Sequence, residues 1–327
     1  MCAIAVSNPI PLTPIQAWQR DNPPFLNQGI AAVLSHGFGK RDLEVFYRTD
    51  MGTRYLMFTT VPAEHRPIAA ALSSLGVAIN VFLDDIADQR GDERLIGQAR
   101  AWMLDGVRPE AEDLQTLVLL WEMYQEQVRQ SPNYPRFRDL LRAEWGNLLG
   151  AMQYSVEANS GRPCPYNLAH SIQMLAPNMH HAIKHVVDIC YSPGWDDALT
   201  APALALATTA QVVTRIGNWT KSWQQELRVN RDITSGVFAV AVDWGLYTRR
   251  QLLDAAIPAE TVIETIQAYA HPALRLNAVD YLYRLAHERI DAIAAQPRYD
   301  SFIQRPVYAQ ALQQVIKDQA AGSNESR

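Results

Sequence analysis

Two short runs of oxygen-bearing side chains stand out in this 327-residue chain. The first is Asp84, Asp85 and Asp88 in "FLDDIAD"; the second is Asn218, Ser222 and Glu226 in "NWTKSWQQE". Residues four apart share a helix face, so Asp84 and Asp88 present two carboxylates together, with Asp85 alongside. Asn218, Ser222 and Glu226 follow the same spacing twice over, drifting only ~40° per step at 3.6 residues per turn, and so line one stripe. Carboxylate, amide and hydroxyl oxygens are hard ligands. They suit Mg²⁺, which takes a few such groups and completes its shell with waters and phosphate oxygens. Neither run contains a thiolate or an imidazole.

Both runs must be positioned by unusual helices. Residues 67–83 carry no charge before the first cluster, and residues 198–214 carry none before the second. A helix that is apolar all round belongs in the middle of a bundle. Acidic residues at a helix end are ordinarily a solvated face. At the mouth of an apolar cavity, carboxylates instead need a cation. Elsewhere helical periodicity dominates, as in 109–130, 135–158 and 272–296, while strand-like alternation is scarce. Pro and Gly clusters at 22–24, 36–42, 160–165 and 192–195 read as turns between helices rather than linkers. No repeat or low-complexity tract is present. The expectation is an all-α chain, a single bundle of about ten or more helices over 1–317, with 318–327 a frayed tail.

Composition excludes several classes. There are 29 basic against 34 acidic residues, a net charge of -5, and no Lys/Arg block to track a nucleic-acid backbone. Cys2, Cys164 and Cys190 are scattered and odd in number, which fits neither a disulfide framework nor a zinc site. The start, "MCAIAVSNPIPLTP", lacks the basic and apolar regions of a signal peptide. The run 67–83 falls short of the ~20 residues of a membrane span and includes Ser73, Ser74, Gly76 and Asn80. A cytoplasmic protein without a membrane span is expected.

The two clusters resemble the paired metal motifs of class I terpene synthases, bacterial single-domain type. The aspartate-rich motif of that family, D-D-x-x-D, is matched by Asp84, Asp85 and Asp88. Its Asn-Ser-Glu motif is matched by Asn218, Ser222 and Glu226, with Asp84 and Asn218 standing 134 positions apart. An Arg-Tyr pair downstream of the second motif looks like Arg298 and Tyr299. The resemblance covers roughly residues 15–310. It departs at Trp219, where Asp is common, at Gln225, where Lys often contacts diphosphate, and at His170, near where an Arg usually senses diphosphate.

This resemblance implies an α-helical fold with a central apolar cavity, three Mg²⁺ ions and ionisation of an allylic prenyl diphosphate. Asp84, Asp88, Asn218, Ser222 and Glu226 would hold the metal. Asp84 and Asp85, with Arg298 and Tyr299, would take part in catalysis, and Arg298, Tyr299, Arg215 and His170 would meet the diphosphate. The expected product is a diterpene hydrocarbon or alcohol, from a C20 diphosphate that a class II cyclase partner has made bicyclic. A sesquiterpene synthase acting on farnesyl diphosphate is the nearer alternative, and a non-catalytic isoprenoid-binding or scaffold protein the more distant one. A homodimer is also expected.

Neighbouring readings fit less well. A prenyl-elongating enzyme resembles a chain with a second aspartate-rich motif, and Asp196-Asp197 offers no third carboxylate. The D-x-D-D string of class II cyclases does not occur. His181 and His185 stand four apart but lack a third ligand, which favours solvated or core-edge histidines over metal. Phe58, Phe82, Trp219, Trp223, Trp244 and Tyr283 are packing residues first; any that lined a cavity could stabilise a carbocation through the ring face.

Overall fold

The computed structural model describes residues 13–37 and 42–322, with side chains to 317. Fifteen α-helices and no strand are found among the described residues. The chain opens with α1 (Pro14–Asp21), α2 (Pro24–His36) and α3 (Leu43–Tyr55); α2 and α3 pack on α4 (Arg66–Asp85), and α1 packs on α3. Then follow α5 (Glu93–Asp105), α6 (Gln115–Val128) and the long α7 (Tyr134–Asn159). An interrupted pair, α8 (Leu168–Leu175) and α9 (His181–Cys190), leads to α10 (Thr200–Asn230). The remainder is α11 (Gly236–Asp243), α12 (Arg249–Leu253), α13 (Ala259–Ala268), α14 (Ala278–Ala294) and α15 (Arg305–Gly322).

The two uncharged runs are the central helices. In α4 thirteen residues, from Ala69 to Asp85, are buried, and α2, α3, α6, α7 and α9 surround it. Small side chains let neighbours come close: a Cβ on Gly76 would lie 2.4 Å from the His180 ring, and one on Gly236 2.3 Å from Trp219. Helix α10 is 31 residues, so ~46 Å long, and α9, α14 and α15 pack along it. Arg66–Arg90 is long and apolar enough to cross a membrane, yet 72% of that window is buried inside the bundle, as a core helix would be.

Helices α4, α7 and α10 run the same way, and α9 runs back. The start of α7 meets the end of α9, where the Asn133 amide donates to the carbonyls of Ile189 (3.1 Å) and Ser192 (2.5 Å). The end of α7 meets the end of α10, where Asn159 Nδ2 donates to Asp232 Oδ1 at 2.9 Å. The far end of the bundle is locked by a buried ion pair, Lys184 Nζ to Asp188 Oδ2 at 2.5 Å. Lys184 also donates to the Leu56 carbonyl (2.7 Å), and the Phe58 N–H donates to Asp188 (3.1 Å). His181 and His185 belong to this buried region. His185 Nε2 lies 2.8 Å from the Tyr308 hydroxyl, and burial first, then the Lys184 charge, pushes both imidazoles down, that of His181 to about 3. Asp196 and Asp197 are structural too: Asp196 caps the turn before α10, and Asp197 pairs with Arg136 at 2.5 Å.

Element boundaries differ from expectation in three places. The pattern at 272–296 becomes helical only at Ala278, because Asn277 caps α14 by accepting from the Asp280 N–H at 2.8 Å. The pattern at 109–130 becomes an α-helix only at Gln115, after a 3₁₀ turn over Glu112–Leu114. Helix α15 continues to Gly322, past the expected limit at 317, while 323–327 of the expected tail lie outside the described residues, as do residues 1–12.

Candidate functional site

Helix α4 delivers Asp84 and Asp85 in its last turn, and a π-helical turn over Ile86–Arg90 then carries Asp88. The turn stops at Gly91, whose φ of 57° is accessible without a Cβ penalty. Asp84 Oδ1 accepts from Asn178 Nδ2 at 2.8 Å, and Asp88 Oδ1 accepts from the Ser155 hydroxyl of α7 at 2.7 Å. Asp85 differs: it is buried and accepts from Gln89 Nε2 at 3.0 Å. The three aspartates therefore do not share one environment.

On α10, the single Ser222 hydroxyl proton is shared between the Asn218 carbonyl, 2.9 Å away, and the Glu226 carboxylate. Arg215 lies one turn earlier, with Nη1 3.4 Å from Asn218 Oδ1 and its guanidinium 5.4 Å from the Trp219 ring centroid. It is 7% exposed and its buried Nε has no hydrogen-bond partner. Trp219 points off the stripe into the core against Gly236.

Electrostatics join the two clusters. Burial pushes the Asp88 carboxyl well above the usual carboxylate range, Asp84 and Asp232 push it further, and the Ser155 hydrogen bond and Arg215 oppose. Burial also raises Glu226 to about 7, assisted by Asp232 and Asp84 against the Ser222 hydrogen bond and Arg215. The geometry agrees: near the end of α7, Ser155 holds Asp88 and, one turn on, Asn159 holds Asp232 just past α10, so the C-terminal ends of the central helices lie at the same end of the bundle.

Asp232 is the residue that spacing alone did not reveal. Arg231 takes a left-handed conformation (φ 53°) just past α10 and donates to the carbonyls of Leu252 (2.8 Å), Asp254 (2.5 Å) and Ile257 (2.8 Å). That reversal returns Asp232 to the cluster, where it accepts from Asn159 (2.9 Å) and the Thr234 N–H (2.8 Å). A non-glycine left-handed residue leaves no obvious mark in the sequence.

Arg298 and Tyr299 are elsewhere. They sit on a 3₁₀ turn between α14 and α15. Tyr299 packs on Phe302 (ring centroids 5.9 Å), and Phe302 on Phe58 (4.9 Å) and Trp195 (5.8 Å). Those partners precede the starts of α4 and α10, with Trp195 Nε1 donating to Thr200 Oγ1 at 3.1 Å. From Thr200 to Asn218 a helix rises ~27 Å. The Arg-Tyr pair is therefore at the far end of the bundle, and Arg298 donates to the Tyr299 hydroxyl (3.2 Å). Phe58, also at that end, is equally removed from the clusters. His170 lies on the first turn of α8, edge-on to Tyr154 at 5.2 Å, next to the Ser155 that holds Asp88.

No family model matches the chain, and no curated protein is significantly similar to it. The site must speak through its own chemistry. Its donors are hard oxygens, and it carries more acidic groups than the guanidinium of Arg215 balances; burial chiefly, and the acidic neighbours after it, raise Asp88 and Glu226. Asn178 adds a buried amide oxygen without a donor. These residues fit Mg²⁺ in ligand type. Among the described residues no three His, Cys, Asp or Glu side chains close into a cage. A cation that keeps waters and phosphate oxygens does not require one.

Proposed function

We propose that the chain is a class I terpene synthase acting on an allylic prenyl diphosphate, with a C20 diphosphate, linear or already cyclised by a partner, as the first substrate to test. One observation carries the reading: two oxygen-ligand clusters, remote in sequence, stand towards the C-terminal ends of two core helices, and the end of α7 ties those ends together through Ser155 to Asp88 and Asn159 to Asp232. Asp84, Asp88, Asn218, Ser222 and Glu226 would hold Mg²⁺, and Asp232 adds negative potential behind them. Bound Mg²⁺ would supply the positive charge that offsets charge developing on the leaving diphosphate.

The protein's own cation for that anion is Arg215, buried beside the cluster with an N–H to give. Arg298 and Tyr299, at the opposite end, are given no part in diphosphate capture. Apolar side chains between the central helices would exclude water from a carbocation. The test is incubation with C10, C15, C20 and bicyclic C20 diphosphates with Mg²⁺, reading products by mass spectrometry and diphosphate release in parallel. Release with a new hydrocarbon or alcohol supports the reading. Intact substrate in every case, from folded protein, removes it.

A further inference from the structure

The interruption between α8 and α9 is keyed to one stripe of α4. It consists of a 3₁₀ turn over Ala176–Met179 followed by His180 in a left-handed conformation, φ 63°. The His180 ring fills the space over Gly76, where any Cβ would meet Nε2 at 2.4 Å, and stands edge-on to Trp145 at 5.5 Å. Asn80 Nδ2 donates to the Asn178 carbonyl at 2.7 Å. Asn178 Nδ2 donates to Asp84 Oδ1 at 2.8 Å. Gly76, Asn80 and Asp84 are successive i, i+4 positions, so this segment reads a single face of α4 that ends on the candidate metal carboxylate.

Asn178 is only 4% exposed, and its donation to Asp84 fixes which amide atom is oxygen. That Oδ1 is buried without a partner beside the acidic cluster. We propose that Asn178 is a positioning residue: it holds the Asp84 carboxylate in the orientation that meets the cation, and the helix interruption exists to bring it there. The inference rests on the reading of Asp84 as a Mg²⁺ ligand. An amide suits the task because it gives a hydrogen bond to the carboxylate without adding charge.

The test is binding, not turnover. Mn²⁺ affinity is measured by electron paramagnetic resonance in the presence of inorganic diphosphate, for the wild type, Asn178→Ala, Asp84→Asn and the double variant, with melting temperatures alongside. Loss of an outer-shell partner weakens metal affinity ~10–100-fold. Asn178→Ala is expected to lose at least tenfold, and to lose nothing further in the Asp84→Asn background, since its effect passes through Asp84. Unchanged affinity, or a loss that multiplies with that of Asp84→Asn, overturns the inference. Should Asn178→Ala not fold, the similarly sized Asn178→Leu, which cannot donate and adds no charge, enters the same cycle with the same criteria. Mn²⁺ binding with the expected cycle but no consumption of any prenyl diphosphate would end the functional reading alone. No binding by the wild type would end both.

Discussion

Charge at the site is held by a few residues whose roles separate cleanly by substitution. Asp84→Asn and Glu226→Gln should each remove most turnover without unfolding the protein, because each deletes metal-binding charge rather than core packing. Wild-type rates in both would eliminate the metal assignment. That Asn218, Ser222 and Glu226 share a stripe of α10 was legible because a four-residue step on an α-helix is fixed geometry; Asp84 and Asp88 were read the same way, but Asp88 rides on the π-helical turn after α4. Asp232 was not legible, since it returns through a left-handed turn at Arg231. The Arg298-Tyr299 pair was legible as a dipeptide, but its place depends on where α14 ends, which periodicity does not state. Arg215→Ala should therefore lower turnover at least tenfold, ~1.4 kcal/mol in barrier, and more than Arg298→Ala does. Steady-state rates of both variants, with matched folding controls, check the order; the reverse order would return the diphosphate role to Arg298.

The helices were more readable than the joints between them. The uncharged run 67–83 lies within α4, and 198–214 falls in α10 from Thr200 on, after a 3₁₀ turn over Asp197–Leu199, because a continuous apolar surface has nowhere to go but the core. The π-helical turn at Ile86–Arg90 and the interruption at 176–180 were set by tertiary partners, Ser155 on one side and Gly76, Asn80 and Asp84 on the other. Trp219 shows how an element limits a functional substitution. It is 1% exposed, so Trp219→Asp, which spacing alone would treat as harmless to the ligand stripe, buries a carboxylate and should lower the melting temperature sharply. At the far end, Asp188→Ala leaves the Lys184 ammonium buried without its carboxylate, and such a loss costs roughly 3–5 kcal/mol. Urea denaturation reads that cost. Mn²⁺ affinity of the folded fraction should stay at the wild-type value, because the pair anchors the end of the bundle that does not carry the clusters.

For the whole molecule, the two clusters make stability depend on pH, and the sign can be worked out. Glu226 sits at about 7 in the fold against 4.5 for an ordinary glutamate, chiefly through burial and then Asp232, with Asp84 adding and Arg215 and Ser222 opposing. Asp88 is raised by the same two causes, burial and acidic neighbours. Between the two Glu226 values the folded protein keeps a proton that the unfolded chain has released, so stability falls as pH rises through this window. The contribution is whole below about 4.5 and gone above about 7. A bound divalent cation reverses the preference, since it interacts with the ionised carboxylates. Mg²⁺ with inorganic diphosphate should therefore raise the melting temperature little at about pH 5.5 and by several degrees at about pH 8, where a hundredfold excess over Kd stabilises by ~2.7 kcal/mol. Glu226→Gln has no carboxyl to titrate at 226, so its metal-free melting temperature should fall less between these two pH values. A metal-induced shift of equal size at both pH values would mean that the cation binds elsewhere, and an unchanged pH profile for Glu226→Gln would mean that this carboxyl is not the group carrying the linkage.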